Sequence, residues 1–293
     1  MSKTYTIKDI EALTDIKAHT IRIWEQRYGI VHPDRTDGNS RRYSDEQLKK
    51  IMNIAFLNKR GTKISHIARM SNDEMAEKVR RFNKPDSNNI DIIDQIITAV
   101  LDQDDVVLQL LFDQSVDLLG MEEAINIIIR PVMKQIGVLW QTGTIDTTQE
   151  HFLSNFVRQK IITAIDGLPA PSKRHTFILF LPDEELHELG LLFYNYILRS
   201  MGFKVIYLGQ SVPLEDLKMY HHIRDFDILL TTKTSYILEE ELQKLVDDIS
   251  QTFNKKILLI SGLQFENKQI QFPPNAKFFR SADQLKKLIN HLQ

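Results

Sequence analysis

Among the nine histidines of this chain, His187 has neighbours that could do chemistry with it. It lies in Phe180-Leu-Pro-Asp-Glu-Glu-Leu-His-Glu-Leu-Gly190, with Glu185 two residues before it and Gly190 three residues after. A neutral imidazole coordinates borderline transition metals, and a carboxylate at that spacing is placed to hold the other ring N–H. The glycine would let a bulky group lie against the backbone. The other histidines, His221 and His222 included, have no partners at ligand spacing and read as surface residues.

The elements around His187 place it where ligands bind. Phe177-Ile-Leu-Phe-Leu181 reads as a buried parallel strand, and Leu191, Leu192, Tyr194, Ile197 and Leu198 follow helical spacing. Strands alternate with helices beyond Pro169-Ala170-Pro171. They are expected at Phe177–Leu181, Val205–Leu208, Ile228–Thr231, Ile257–Ile260 and Lys277–Phe279, with a last helix over Ala282–Leu292. This pattern predicts a flavodoxin-like (Rossmann-like) doubly wound parallel sheet, which takes ligands at the carboxyl ends of its strands. Neither a Gly-x-Gly-x-x-Gly run nor a Walker sequence occurs, so nucleotide binding of those kinds has no support.

The N-terminal stretch has a different grammar. Thr6 can cap a short helix with Ile7, Ile10 and Leu13 on one face. After the turn Thr14-Asp15-Ile16, a second helix is expected over Lys17–Tyr28, with Ile21 and Trp24 inward and His19, Arg22 and Arg27 outward. Gly29 ends it. The polar run 34–40 has turn chemistry at Asp37-Gly38-Asn39; Arg41-Arg42-Tyr43 follows, then a helix capped at Ser44. Two short helices, a hairpin and a further helix predict a winged helix-turn-helix. Arg22 then becomes a base or phosphate contact, and Trp24 a core residue.

Phe82-Asn-Lys-Pro-Asp-Ser-Asn-Asn89 reads as a linker. Helical periodicity then runs for about eighty residues, which predicts a four-helix bundle. Its third helix spans about Met121–Trp140 with Pro131 inside it, and the fourth starts near Thr147. The turn at Gly143 would bring Trp140, Glu150 and His151 to one end of the bundle. The domains are therefore expected at 1–81, 90–170 and 171–293, with the linker at 82–89.

Composition narrows the function. The 293 residues include no cysteine, which excludes disulfides, thiolate metal sites and thiol redox switches. Met1–Phe82 carries 17 Lys and Arg against 11 Asp and Glu, net +6, while the remainder is −8. A basic head on an acidic body points to an anionic partner, nucleic acid first. No apolar run approaches the roughly 18 residues of a membrane span, and Met1-Ser-Lys-Thr-Tyr-Thr-Ile-Lys is no signal peptide, so a cytoplasmic protein is expected.

Three groups of residues carry family resemblances. Tyr5-Thr6-Ile7, Thr20-Ile-Arg-Ile-Trp-Glu-Gln-Arg-Tyr-Gly29 and Arg41-Arg-Tyr-Ser44 resemble the DNA-binding domain of the MerR family over about the first 75 residues. The resemblance implies that His19, Arg22 and Arg27 face operator DNA, with Arg41, Arg42 and Tyr43 of the wing on phosphates. Glu185-x-His187-x-x-Gly190 resembles the corrinoid-binding signature, in which the histidine becomes the lower axial ligand of cobalt in vitamin B12. Trp140, nine residues, then Glu150-His151 resembles the cap of cobalamin-binding photoreceptor regulators of the CarH type, where these residues cover the upper corrin face and its adenosyl group.

Further residues follow from the same resemblance. Tyr207–Glu215, with Gly209 in it, resembles the segment after the second strand of B12 domains, and Thr231 and Gly262 stand where that family leaves room for the nucleotide tail of cobalamin. Departures also occur: Lys233 replaces a leucine, Ser261 replaces a glycine, and Gln141 stands where light-responsive members often carry histidine. The resemblance implies a cobalamin-dependent repressor acting as a dimer or tetramer on operator DNA, with light as the signal through adenosylcobalamin, and no enzyme. Two alternatives stay open: a B12-independent repressor with a degenerate corrinoid domain, and a corrinoid methyl carrier.

Overall fold

The computed structural model describes residues 4–14, 16–35, 40–81, 90–141, 145–266 and 268–290. The expected linker 82–89 and the expected wing turn at Asp37-Gly38-Asn39 lie outside them.

The head begins with β1 (Thr4–Tyr5) and α1 (Ile7–Thr14). Local capping starts α1: Asp9 N donates to Thr6 Oγ1 at 3.2 Å, and Thr6 N donates back to Asp9 Oδ2 at 2.7 Å. The second helix, α2 (Ala18–Tyr28), stops at Gly29, whose φ of 60° is the left-handed C-cap expected of glycine. Strands β2 (Asp34–Arg35) and β3 (Arg41–Ser44) form the wing, and β3 lies between β1 and β2 in a small antiparallel sheet. A capping box of Ser44 and Gln47 opens α3 (Asp45–Lys59), and α4 (Ile64–Ile67) and α5 (Asn72–Arg81) complete the head.

Next come α6 (Ile90–Leu101) and α7 (Asp105–Leu119), the latter capped by the Asp104 side chain. The third bundle helix is not regular. It runs as α8 (Met121–Glu123), a π-helical stretch Ala124–Ile129, and α9 (Arg130–Gln141). The Arg130 N–H reaches Ile125 O, five residues back. Pro131 follows at once; it has no N–H, and its ring crowds the carbonyl four residues earlier, so a widened turn relieves both problems. The fourth helix, α10 (Thr147–Asp166), begins where the sequence places it.

The α/β part comprises β4 (Thr176–Pro182), α11 (Leu189–Ser200), β5 (Lys204–Val212), α12 (Leu214–Ile223), β6 (Ile228–Thr232), α13 (Glu239–Thr252), β7 (Ile257–Ser261), β8 (Ala276–Phe278) and α14 (Ala282–Asn290). The parallel sheet has the order β5-β4-β6-β7-β8. Its chain therefore reverses direction beside β4, which makes the end of β4 the topological switch point. Strand β5 runs beyond the expected Leu208. Gly209, at φ 80°, lets it bulge and continue along the loop after β4.

The chain forms two compact units, 1–156 and 157–293, which divide inside α10. This differs from a separate head and bundle. Helix α9 supplies Val138 to the core of the head, where it joins Ile21, Tyr43, Leu48 and Val79, and Trp140 packs against that core.

Candidate functional site

The side chain of Glu185 is fully buried and orients everything around it. Its Oε1 accepts from His187 N at 2.9 Å and faces His187 Nδ1 at 2.6 Å. Its Oε2 accepts from Thr234 N, Ser235 N and Ser235 Oγ, each at 2.8 Å. Burial by itself would raise the carboxyl pKa, but hydrogen bonds from His187 and Ser235 prevail and hold it far below the usual carboxylate range. An ionised Glu185 makes Nδ1 the protonated nitrogen of His187. In a neutral ring with that tautomer Nε2 carries the lone pair, and the side chain is 62% exposed. The ring is pinned at one nitrogen and available at the other.

The loop that carries this pair is bolted to β5. Ser211 N donates to Glu185 O at 3.3 Å, Glu184 N donates to Ser211 Oγ at 3.1 Å, and Gln210 Nε2 donates to Leu186 O at 2.8 Å. Glu188, at the start of α11, accepts from Tyr207 Oη at 2.9 Å and pairs with Arg158 at 3.0 Å. Burial, then the charge of Glu188, raises the Tyr207 phenol far above its ordinary value, so it stays a hydrogen-bond donor.

Four expected ligand-side residues separate here. Gly190 is exposed, and a Cβ there would meet nothing within 4 Å, so the fold itself does not require glycine. The Thr231 hydroxyl is buried and, among the described residues, has no hydrogen-bond partner, as is also the case for its neighbour Thr232. Gly262 is different: at φ 119°, a Cβ would come within 2.3 Å of Lys233 O, so the chain's own backbone already requires glycine there. Gly209 is likewise accounted for by the bulge in β5.

Trp140, Glu150 and His151 lie at the α9–α10 corner. Trp140 Nε1 is 3.4 Å from Thr147 Oγ1, one turn before Glu150, and Glu150 Oε2 meets His151 Nδ1 at 2.8 Å. The Gln141 side chain lies outside the described residues.

On the head, His19, Arg22, Ile23 and Gln26 form an exposed stripe along α2, with Arg27 exposed beside it. Ile21 and Trp24 are buried on the opposite face. Ile23 and Gln26 escaped the sequence reading, although their spacing from His19 places them on the same face. On the wing, Arg42 is half-buried, and its backbone pairs with that of Asp34. Two wing expectations need correction. Tyr43 is fully buried, and its hydroxyl donates to Glu25; Arg41 Nε also donates to Glu25, at 2.9 Å. Tyr43 is thus a core residue that braces α2 against the wing, and Arg41 is engaged in the same bracing. Burial first, and Glu25 next, raise the Tyr43 phenol well above its ordinary value.

A winged helix-turn-helix followed by a helical bundle and a histidine-bearing doubly wound sheet defines a DNA-binding regulator with a ligand domain. Family comparison agrees: residues 5–74 match the MerR HTH family regulatory protein model, and residues 92–164 match the B12 binding domain model. The chain is 30% identical over 221 residues to the HTH-type transcriptional repressor CarH of Myxococcus xanthus, covering 73% of this chain and 74% of that one. It is 25% identical over 296 residues to the repressor CarA of the same organism, covering 99% and 98%. The chain belongs to the MerR family of transcriptional regulators with a B12-binding domain. In fold, it resembles the Methanosarcina barkeri monomethylamine corrinoid protein, with TM-score 0.54 and 15% identity over 70% of this chain and 100% of that one.

The residues present fit a corrinoid. Among the described residues, no three His, Asp or Glu side chains converge as metal ligands. A metal on His187 would therefore bring its other ligands with it, as a cobalt macrocycle does. The open space at Gly190 and the unpartnered Thr231 hydroxyl agree with a large group lying against this edge. Among the described residues, no helix is long and apolar enough to cross a membrane.

Proposed function

We propose that this protein is a cobalamin-dependent transcriptional repressor that binds operator DNA as a homo-oligomer and takes adenosylcobalamin as its ligand. The observation that carries this reading is the Glu185–His187 pair: His187 Nδ1 lies 2.6 Å from a buried carboxylate, on a largely exposed imidazole at the switch point of the sheet. His187 would hold the cobalt, Gly190 would admit the macrocycle, and Thr231 would offer a hydroxyl to its tail. Trp140, Glu150 and His151 recognise the upper group. The cofactor itself would supply the light chemistry, a cobalt–carbon bond that visible light breaks. The chain's part is to make contacts that exist in only one ligand state, since only a difference of that kind shifts an equilibrium. On DNA, Arg22 and its neighbours on α2 enter the major groove while Arg42 holds phosphate, and a palindromic operator requires at least two copies.

The test is the absorption spectrum of the purified protein with adenosylcobalamin and with hydroxocobalamin, dark and illuminated, alongside operator binding. Bound adenosylcobalamin with light-released operator supports the reading; unchanged operator binding with and without ligand overturns it. A specific contact favours the second reading, a repressor that does not require B12. The Tyr194 hydroxyl lies 3.2 Å from Ser261 Oγ, and both residues are buried at the strand end where the tail would enter. Operator binding that is insensitive to cobalamin would select it.

A further inference from the structure

Glu185 is not the last member of the line that starts at His187. Lys233 Nζ lies 3.5 Å from Glu185 Oε2 and donates to Ser235 Oγ at 2.6 Å. The lysine is only 6% exposed. Its backbone is clamped as well: Lys233 N donates to Ser261 O at 3.0 Å, Lys233 O accepts from Gln264 N at 3.2 Å, and Gly262 presses against its carbonyl. Lysine is almost never buried without a partner, and here the partner is the carboxylate that holds His187.

We propose that Lys233 is a positioning residue whose charge, acting through Glu185, sets how strongly His187 donates electrons from Nε2. This rests on the reading of His187 as the cobalt ligand. A carboxylate bonded to Nδ1 draws on that proton and enriches the far nitrogen. A cation at the carboxylate's other oxygen draws charge the opposite way, and it does so strongly because both groups are shielded from water. With Lys233 in place, His187 is a weaker axial donor than it would be with an uncharged side chain there. The remaining donors to Glu185, from His187, Thr234 and Ser235, keep the carboxylate compensated if the ammonium is removed. The charge can therefore be tested apart from the fold.

The experiment compares the full-length wild type with Lys233→Met and Lys233→Gln; glutamine can keep the bond to Ser235 without the charge. In the ligand-free protein, the ring 15N shifts of His187, read through its carbon-bound protons, report the strength of the Nδ1–Glu185 bond. In the protein loaded with cob(II)alamin, electron paramagnetic resonance reports the splitting from the axial nitrogen. Both variants should move the ring shifts toward a stronger hydrogen bond, enlarge the splitting and slow hydroxocobalamin release severalfold. Unchanged ring shifts in both variants, or a glutamine variant that matches the wild type while methionine does not, would overturn the proposal. A wild type without axial-nitrogen splitting removes the cobalt assignment instead, and the ligand-free shifts then still decide whether Lys233 governs the Glu185–His187 bond.

Discussion

The Lys49 ammonium of the head lies 5.2 Å from the centre of the Trp140 ring at the α9–α10 corner. Val138, half a turn earlier on α9, is already part of the head core. A residue proposed to recognise the upper ligand is thus also a residue on which the DNA-binding head rests. The π-helical stretch Ala124–Ile129 leads directly into α9, and such widened turns are frequent at functional sites.

Trp140→Ala should therefore act on two properties together. It should reduce the preference for adenosylcobalamin over hydroxocobalamin, read by spectral titration, and it should lower the thermal midpoint of the head. Lys49→Ala removes the cation–π contact, of about 0.5–1 kcal/mol at a partly exposed site, together with the Lys49 charge that acts on Asp146. It should leave cobalamin preference unchanged while altering the difference in operator affinity between ligand-free and loaded protein. Equal operator affinities in Lys49→Ala and wild type, in both ligand states, would separate the contact from signalling.

His187→Ala should abolish axial nitrogen coordination and leave the fold intact, because the His187 side chain is largely exposed. Circular dichroism would check the fold and cobalamin spectra the ligation. An unchanged spectrum and affinity would remove His187 as the ligand.

Arg22→Ala should change operator sequence preference and cost about 1–3 kcal/mol if the guanidinium is bidentate to guanine. Arg42→Ala should weaken binding to all sequences and reduce the salt slope by about one. Tyr43→Phe provides the contrast. It leaves Glu25 one hydrogen bond short in the head, so it should lower stability by about 1–3 kcal/mol with little change in the salt slope. Fluorescence anisotropy at several salt concentrations distinguishes all three.

Glu185 makes stability depend on pH in one direction. Its folded-state pKa lies far below the ordinary 4.5. Its contribution is therefore complete above that ordinary value and fades as pH falls below it, because the unfolded chain takes up the proton first. Glu185→Gln should cost about 2–4 kcal/mol at neutral pH, with its buried donors no longer facing a carboxylate. The variant and the wild type should converge in urea midpoint as pH drops from about 6 to about 3.5. Parallel curves over that range would show that Glu185 is not held as the ion.

Much of this architecture was legible in the sequence because its causes are local. Thr6, Gly29 and Ser44 announce the helix ends with side chains or backbone conformations that act within a turn. The expected strands reappear because their apolar runs cannot be solvated, and the five-strand order follows the doubly wound pattern. Spacing alone placed Glu185 beside His187, since two residues in a tight loop cannot drift far apart. The partners that complete the site were not legible. Thr234 and Ser235 reach Glu185 from about fifty positions away because β6 lies beside β4, and the same neighbourhood buries Lys233. Tyr43 looked like a wing residue until pairing with β1 turned its ring into the head core, and Val138 looked like bundle until α9 met α3. Sequence by itself determined what each segment forms and what its immediate neighbours can reach. Tertiary structure alone decided which polar groups lose water together, because burial depends on residues brought in from elsewhere in the chain.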